Sequence, residues 1–100
     1  MLIYNVTIGI DKEIEQEWID WMQAEHIPDV MNTGMFLKHH FYRILTHDEE
    51  GTASYCVQYY TDDIVKVRKY LDEFAPGLVD KHKAKYKDRH VAFRTLLEEV

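Results

Sequence analysis

Residues 2–10 alternate in hydropathy: Leu2, Tyr4, Val6, Ile8 and Ile10 share one face, and Ile3, Asn5, Thr7 and Gly9 share the other. A period of two with β-branched residues predicts a strand. The period then lengthens. Ile14, Trp18, Trp21, Met22 and Glu25 recur at helical spacing after Asp11, which suits an N-cap, with Glu13 in the first turn. Pro28 predicts a stop near Glu25, because proline lacks the N–H that the helical ladder needs and restricts the residue before it. Residues 28–33 then read as one or two further turns, closed by Gly34.

Residues 36–45 predict a second strand, the polar cluster His47-Asp48-Glu49-Glu50-Gly51 a hairpin turn, and Thr52 to Tyr60 a third strand. Thr61-Asp62-Asp63 caps a helix with the stripe Ile64, Val67, Leu71 and Phe74, which Pro76 interrupts. A shorter basic helix follows through Leu78, Val79, His82 and Tyr86, and residues 90–97 close the chain as a fourth strand. The order βαββαβ defines an α+β, ferredoxin-like domain over residues 1–100. Its expected antiparallel sheet runs four-one-three-two, with the helices on one face. Glu25-His26-Ile27-Pro28-Asp29-Val30 echoes Glu73-Phe74-Ala75-Pro76-Gly77-Leu78, as two related halves would require, with Phe74 standing where the first copy has His26.

Two helical segments cover one face of four strands, yet both strand faces carry large apolar groups, among them Tyr42 and Phe93 in one register and Ile3, Leu37, Phe41 and Leu96 in the other. Monomers rarely expose so large an apolar patch. Sheet-to-sheet pairing as a twofold homodimer buries it.

Composition narrows the partners. A net charge of −6 argues against nucleic acid, which requires a dominant positive field. The single cysteine, Cys56, cannot form an internal disulfide and points to a reducing compartment, with the residue itself expected buried in its strand. The start Met1-Leu2-Ile3-Tyr4-Asn5 lacks the features of a signal peptide, and no window approaches the length of a membrane span. A cytoplasmic location and no membrane partner are therefore expected.

The candidate chemistry gathers at the end of the first helix. Trp18 and Trp21 read as core packing more readily than as a ligand-stacking wall. His26 has two readings: a residue aimed into the cleft between helix and sheet, or a cap on the carbonyls of the preceding helix. Glu25, if buried on the tryptophan stripe, would titrate high and act with His26 as an acid–base pair; the plainer reading places it in water. Asn5 is unusual in a strand interior, and offers either a ligand contact or a structural hydrogen bond. His39 and His40 point to opposite strand faces, so they cannot share a metal ion. Cys/His metal spacing, a nucleophile elbow and a glycine-rich phosphate loop are all missing from the sequence. The run Lys81, Lys83, Lys85, Lys87, Arg89 reads as a solvated face.

With Trp21, His26-Ile27-Pro28 and the broken second helix, the chain resembles the dimeric α/β-barrel superfamily, including its antibiotic biosynthesis monooxygenase-like and EthD-like members. Ile3-Tyr4-Asn5-Val6-Thr7, Glu25 to Met31 and Val91 to Glu98 are similar to a small bacterial family of uncharacterised domains of this length. The resemblance implies the fold over the whole chain and no single activity, since the superfamily spans oxygenases, haem-degrading enzymes, isomerases and binding proteins. His82 and Tyr86 resemble in position the site where haem-degrading members place an axial histidine, which makes haem a minor alternative without a full matching set. No cofactor is otherwise implied. The expected cleft is lined by Asn5, Trp18, Trp21, His26, His82 and Tyr86 and takes a small apolar or aromatic molecule. One version is a cofactor-independent oxygenase or isomerase with His26 as general base. The other is a non-catalytic binding module, towards which the absence of a complete acid–base set tilts the sequence.

Overall fold

The computed structural model describes the backbone of all 100 residues and every side chain except those of His47 and Asp48. Strands β1 (Leu2–Asp11), β2 (Lys38–Glu49), β3 (Thr52–Thr61) and β4 (His90–Glu98) form one antiparallel sheet in the order β2-β3-β1-β4. That is the expected order read from the other edge. The hairpin turn is tighter than expected: β2 continues to Glu49, and Glu50–Gly51 make the corner, with Gly51 at φ 80°. The side chains of His47 and Asp48, which the sequence assigns to that turn, lie outside the described residues.

The helical layer departs most from expectation. Asp11 accepts a bond from the Glu13 N–H at 2.9 Å and starts a 3₁₀ turn that leads into α1 (Glu15–Trp21). The chain does not break at Glu25. It widens into a π-helical turn, Met22–His26, and continues as α2 (Ile27–Met31). Ile27 N–H reaches back to the Met22 carbonyl across five residues, so the ladder passes the proline with one wide turn. Pro28 then sits in the first turn of α2, where a missing N–H costs little.

The second half repeats this. Asp63 caps α3 (Ile64–Lys69) by accepting from Val65 N–H at 2.8 Å; a π turn, Tyr70–Phe74, follows, and α4 (Ala75–Lys85) carries Pro76 in its first turn. The sequence repeat is thus a repeated π turn before a proline. The buried stripe of the second half also differs from the expected one. Val67 and Tyr70 are buried, while Ile64 and Leu71, expected inside, are 41% and 42% exposed.

The core lies between the sheet and the helices. Tyr4, Ile8, Ile10, Tyr55, Val57 and Tyr59 from the strands meet Trp18, Met22, Ile27, Val30 and Tyr70 from the helices. The other sheet face carries no helix; its outer strands expose Tyr42 (48%), Val91 (70%) and Phe93 (63%), and its central strands contribute the polar Asn5, Thr7, Ser54 and Gln58. Cys56 lies on that face, opposite Thr7, and is half-buried rather than buried.

Candidate functional site

The π turns set the site. The first places His26 at its last position, facing a cleft against α4, and α4 returns His82 to the same cleft; the two rings meet edge to face with centroids 5.7 Å apart. Val6 is paired with Arg94 across β1 and β4, so Arg94 leaves the sheet on the helix side and joins the lining. Counted to its mouth the cleft encloses about 450 Å³, but its interior leaves room for only about 30 Å³ of water-sized bodies. The smaller figure describes the closed pocket and is enough for a water molecule, not for an organic ligand. The apolar walls include Ile8, Met22, Val30, Val57, Leu78 and Val79.

His82 is held in one protonation form. Trp18 Nε1 donates to His82 Nε2 at 3.0 Å, which leaves the ring proton on Nδ1. Burial pulls its pKa down to about 3, helped by the neighbouring His90, His26 and Arg94. His26 is pulled down to about 4, again chiefly by burial, with Asp29 opposing that shift. Its Nδ1 is buried and, among the described residues, has no hydrogen-bond partner. Both imidazoles are therefore neutral at physiological pH. The capping role for His26 is not realised, since this nitrogen meets no helix carbonyl.

Two indoles frame the pair without lining the cleft. Trp18 is fully buried and packs on Phe41 and Tyr55. Trp21 stacks on His26 with ring centroids 5.2 Å apart, and meets Tyr86 edge-on at 5.4 Å. Core packing, the favoured expectation for Trp18, is what the fold shows. Tyr86 is buried beside His82, its hydroxyl has no partner among the described residues, and burial pushes its pKa up to about 12.

Two expected contributors sit elsewhere. Asn5 projects from the helix-free sheet face, where its amide donates to Thr7 Oγ1 at 3.1 Å; strand alternation separates it from Tyr4 and Val6, which line the cleft. Glu25 is exposed, as its plainer reading has it. The wide turn points it at Lys81, whose Nζ approaches it at 2.6 Å, and that bond holds the carboxyl below the usual range. Lys81 also reaches Asp29 at 3.4 Å, so this exposed ion pair links the first π turn and α2 to α4. Arg94 is the residue that sequence reasoning missed. Its signal was the period-two register of β4, once β4 is paired with β1.

This is a ferredoxin-like α+β fold with a cleft between sheet and helices, the architecture of the EthD and antibiotic biosynthesis monooxygenase folds. The chain belongs to the family described as a domain of unknown function, DUF4286, whose profile matches residues 1–100. No curated protein is similar enough in sequence to match it. Three solved structures show the likeness of fold. An EthD family protein from Bacillus halodurans has a TM-score of 0.70 at 17% identity, covering 100% of both chains. SnoaB, a cofactor-independent oxygenase from Streptomyces nogalater, has a TM-score of 0.69 at 16% identity, covering 99% of this chain and 93% of that one. HapK from Hahella chejuensis has a TM-score of 0.71 at 9% identity, covering 100% of this chain and 93% of that one. At these identities the likeness concerns the fold alone.

Proposed function

We propose that the chain is a homodimeric, cytoplasmic small-molecule-binding protein whose ligand enters the cleft at His26 and His82. The observation that carries this reading is the buried, unpartnered Nδ1 of His26 facing a cavity. Buried polar atoms are nearly always satisfied, and one left open beside a cavity marks a place prepared for a visitor. Half-buried Leu78 and Val79 form the wall that has to give way, because the closed interior is small.

A second reading makes His26 a general base in cofactor-independent oxygenation or isomerisation. It is favoured by the neutral, unpaired imidazole and by the fold shared with SnoaB, itself a cofactor-independent oxygenase. Glu25 has no part in the proton transfer, being committed to Lys81. Haem does not suit the site: His82 Nε2 is occupied by the Trp18 N–H, and the interior is far too small for a porphyrin.

Native mass spectrometry of the purified protein tests both parts of the proposal. A dimer that retains a small molecule supports it; a monomer, or a dimer that neither retains nor accepts any small molecule, opposes it. No helix among the described residues is long and apolar enough to cross a membrane. Phe93→Glu places a charge among the exposed apolar groups of the outer strand β4 and is expected to weaken dimerisation at least 100-fold by sedimentation velocity, with an unchanged circular dichroism spectrum. An undisturbed dimer in that variant would move the interface elsewhere.

A further inference from the structure

Arg94 is exposed at the pocket mouth on a stretch of β4 that the helices leave bare; its neighbour Leu96 is 47% exposed. Its charge reaches Tyr4, Tyr70, His26 and His82, which line the same cleft. Among the described residues no carboxylate comes within ion-pair distance of it. Arg68 and Lys83 also make no ion pair among the described residues, but neither lines the cleft. Arg43 is held by Glu15, and Arg89 by Asp11 and Glu13. The two histidines beside Arg94 are neutral, so the pocket has one positive charge and no negative one.

We infer that Arg94 is the anchor for a small apolar carboxylate, whose head pairs with the guanidinium while its body enters between Met22, Val30 and Leu78. The inference rests on the reading of this cleft as a small-molecule site, and adds the class of ligand. A planar guanidinium matches a carboxylate through two parallel N–H···O bonds. The walls behind it are apolar, which favours a singly charged head on a greasy body over a free multivalent anion.

The test is an NMR titration of the isotope-labelled full chain with benzoate, its neutral isostere benzamide, and inorganic phosphate. Benzoate is expected to perturb His26, His82 and Leu78 and to bind at least tenfold more tightly than benzamide or phosphate. Arg94→Gln is expected to lose at least tenfold for benzoate while leaving benzamide unchanged, and Arg94→Lys to recover part of the loss. A further signature is a rise in the proton affinity of His26 with benzoate bound and no such rise with benzamide, because only the carboxylate brings a negative charge. Equal binding of benzoate and benzamide, unaltered by Arg94→Gln, overturns the carboxylate inference and leaves the pocket standing. Binding of phosphate as tight as benzoate also overturns it. If no probe shifts the pocket residues, the small-molecule reading fails and this inference with it.

Discussion

Trp18→Ala is expected to destabilise the protein by about 3–5 kcal/mol, the usual cost of deleting a large aromatic from a packed core. For a domain of this size that is a large share of a total stability of about 5–15 kcal/mol. The position explains the size of the effect. Trp18 is fully buried, meets Phe41 and Tyr55 at centroid distances of 5.7 and 5.1 Å, and gives its only N–H to His82. Truncation opens a cavity and also leaves a buried imidazole nitrogen unsatisfied. Trp18→Phe separates the two contributions: it keeps most of the ring, removes the donor, and is expected to cost about 1–3 kcal/mol. Urea midpoints at pH 7 measure both variants. A loss below 1 kcal/mol for Trp18→Ala would mean that the indole does not tie α1 to α4.

The strands and their order were legible because a period of two leaves little freedom once the apolar residues must face inward. Tyr4, Val6 and Ile8 could face only one way, and the expected strand order follows from the alternation of strands and helices. The helical layer was less legible, because proline has two solutions. A helix can end before it, or it can take one wide turn and begin again with the proline in a first turn. Residues 22–28 and 70–76 take the second solution, and nothing in local propensity distinguishes it. That choice shapes the site: it brings Glu25, in solvent as its plainer reading had it, to Lys81. Asn5 was misplaced for another reason: a strand residue's face is fixed, and a polar side chain opposite Tyr4 and Val6 cannot share their cleft. Arg94 was hidden because an exposed arginine on an edge strand looks like surface until its cross-strand partner, Val6, is known. His26 and His82 were expected in one cleft, and a contact between helical segments far apart in sequence brings them there.

The second large effect is pH dependence between about pH 6.5 and 4. His26 and His82 are neutral in the folded protein, with pKa values near 4 and 3, against 6.5 for the exposed side chain. Below pH 6.5 the unfolded chain takes up protons that the folded chain does not, so stability falls as the pH falls. The contribution of His26 is fully present above pH 6.5 and is lost by about pH 4; that of His82 continues to be lost towards pH 3. At about 1.4 kcal/mol per pH unit, His26 alone accounts for a loss on the order of 3 kcal/mol, and His82 adds a comparable loss. Asp11 and Glu25 act in a different window. Their folded pKa values are lowered, so the stability they contribute is present above the ordinary carboxylate range and is lost only below it. Urea denaturation of the wild type between pH 7 and 4 is therefore expected to show a loss of several kcal/mol. In the double variant His26→Leu, His82→Gln the curve should be nearly flat over that interval, since leucine does not titrate and the glutamine oxygen still accepts the Trp18 N–H. An equal slope in the two proteins would show that the histidines take up their protons without opening the core, and the closed, neutral pocket described for this fold would then be wrong.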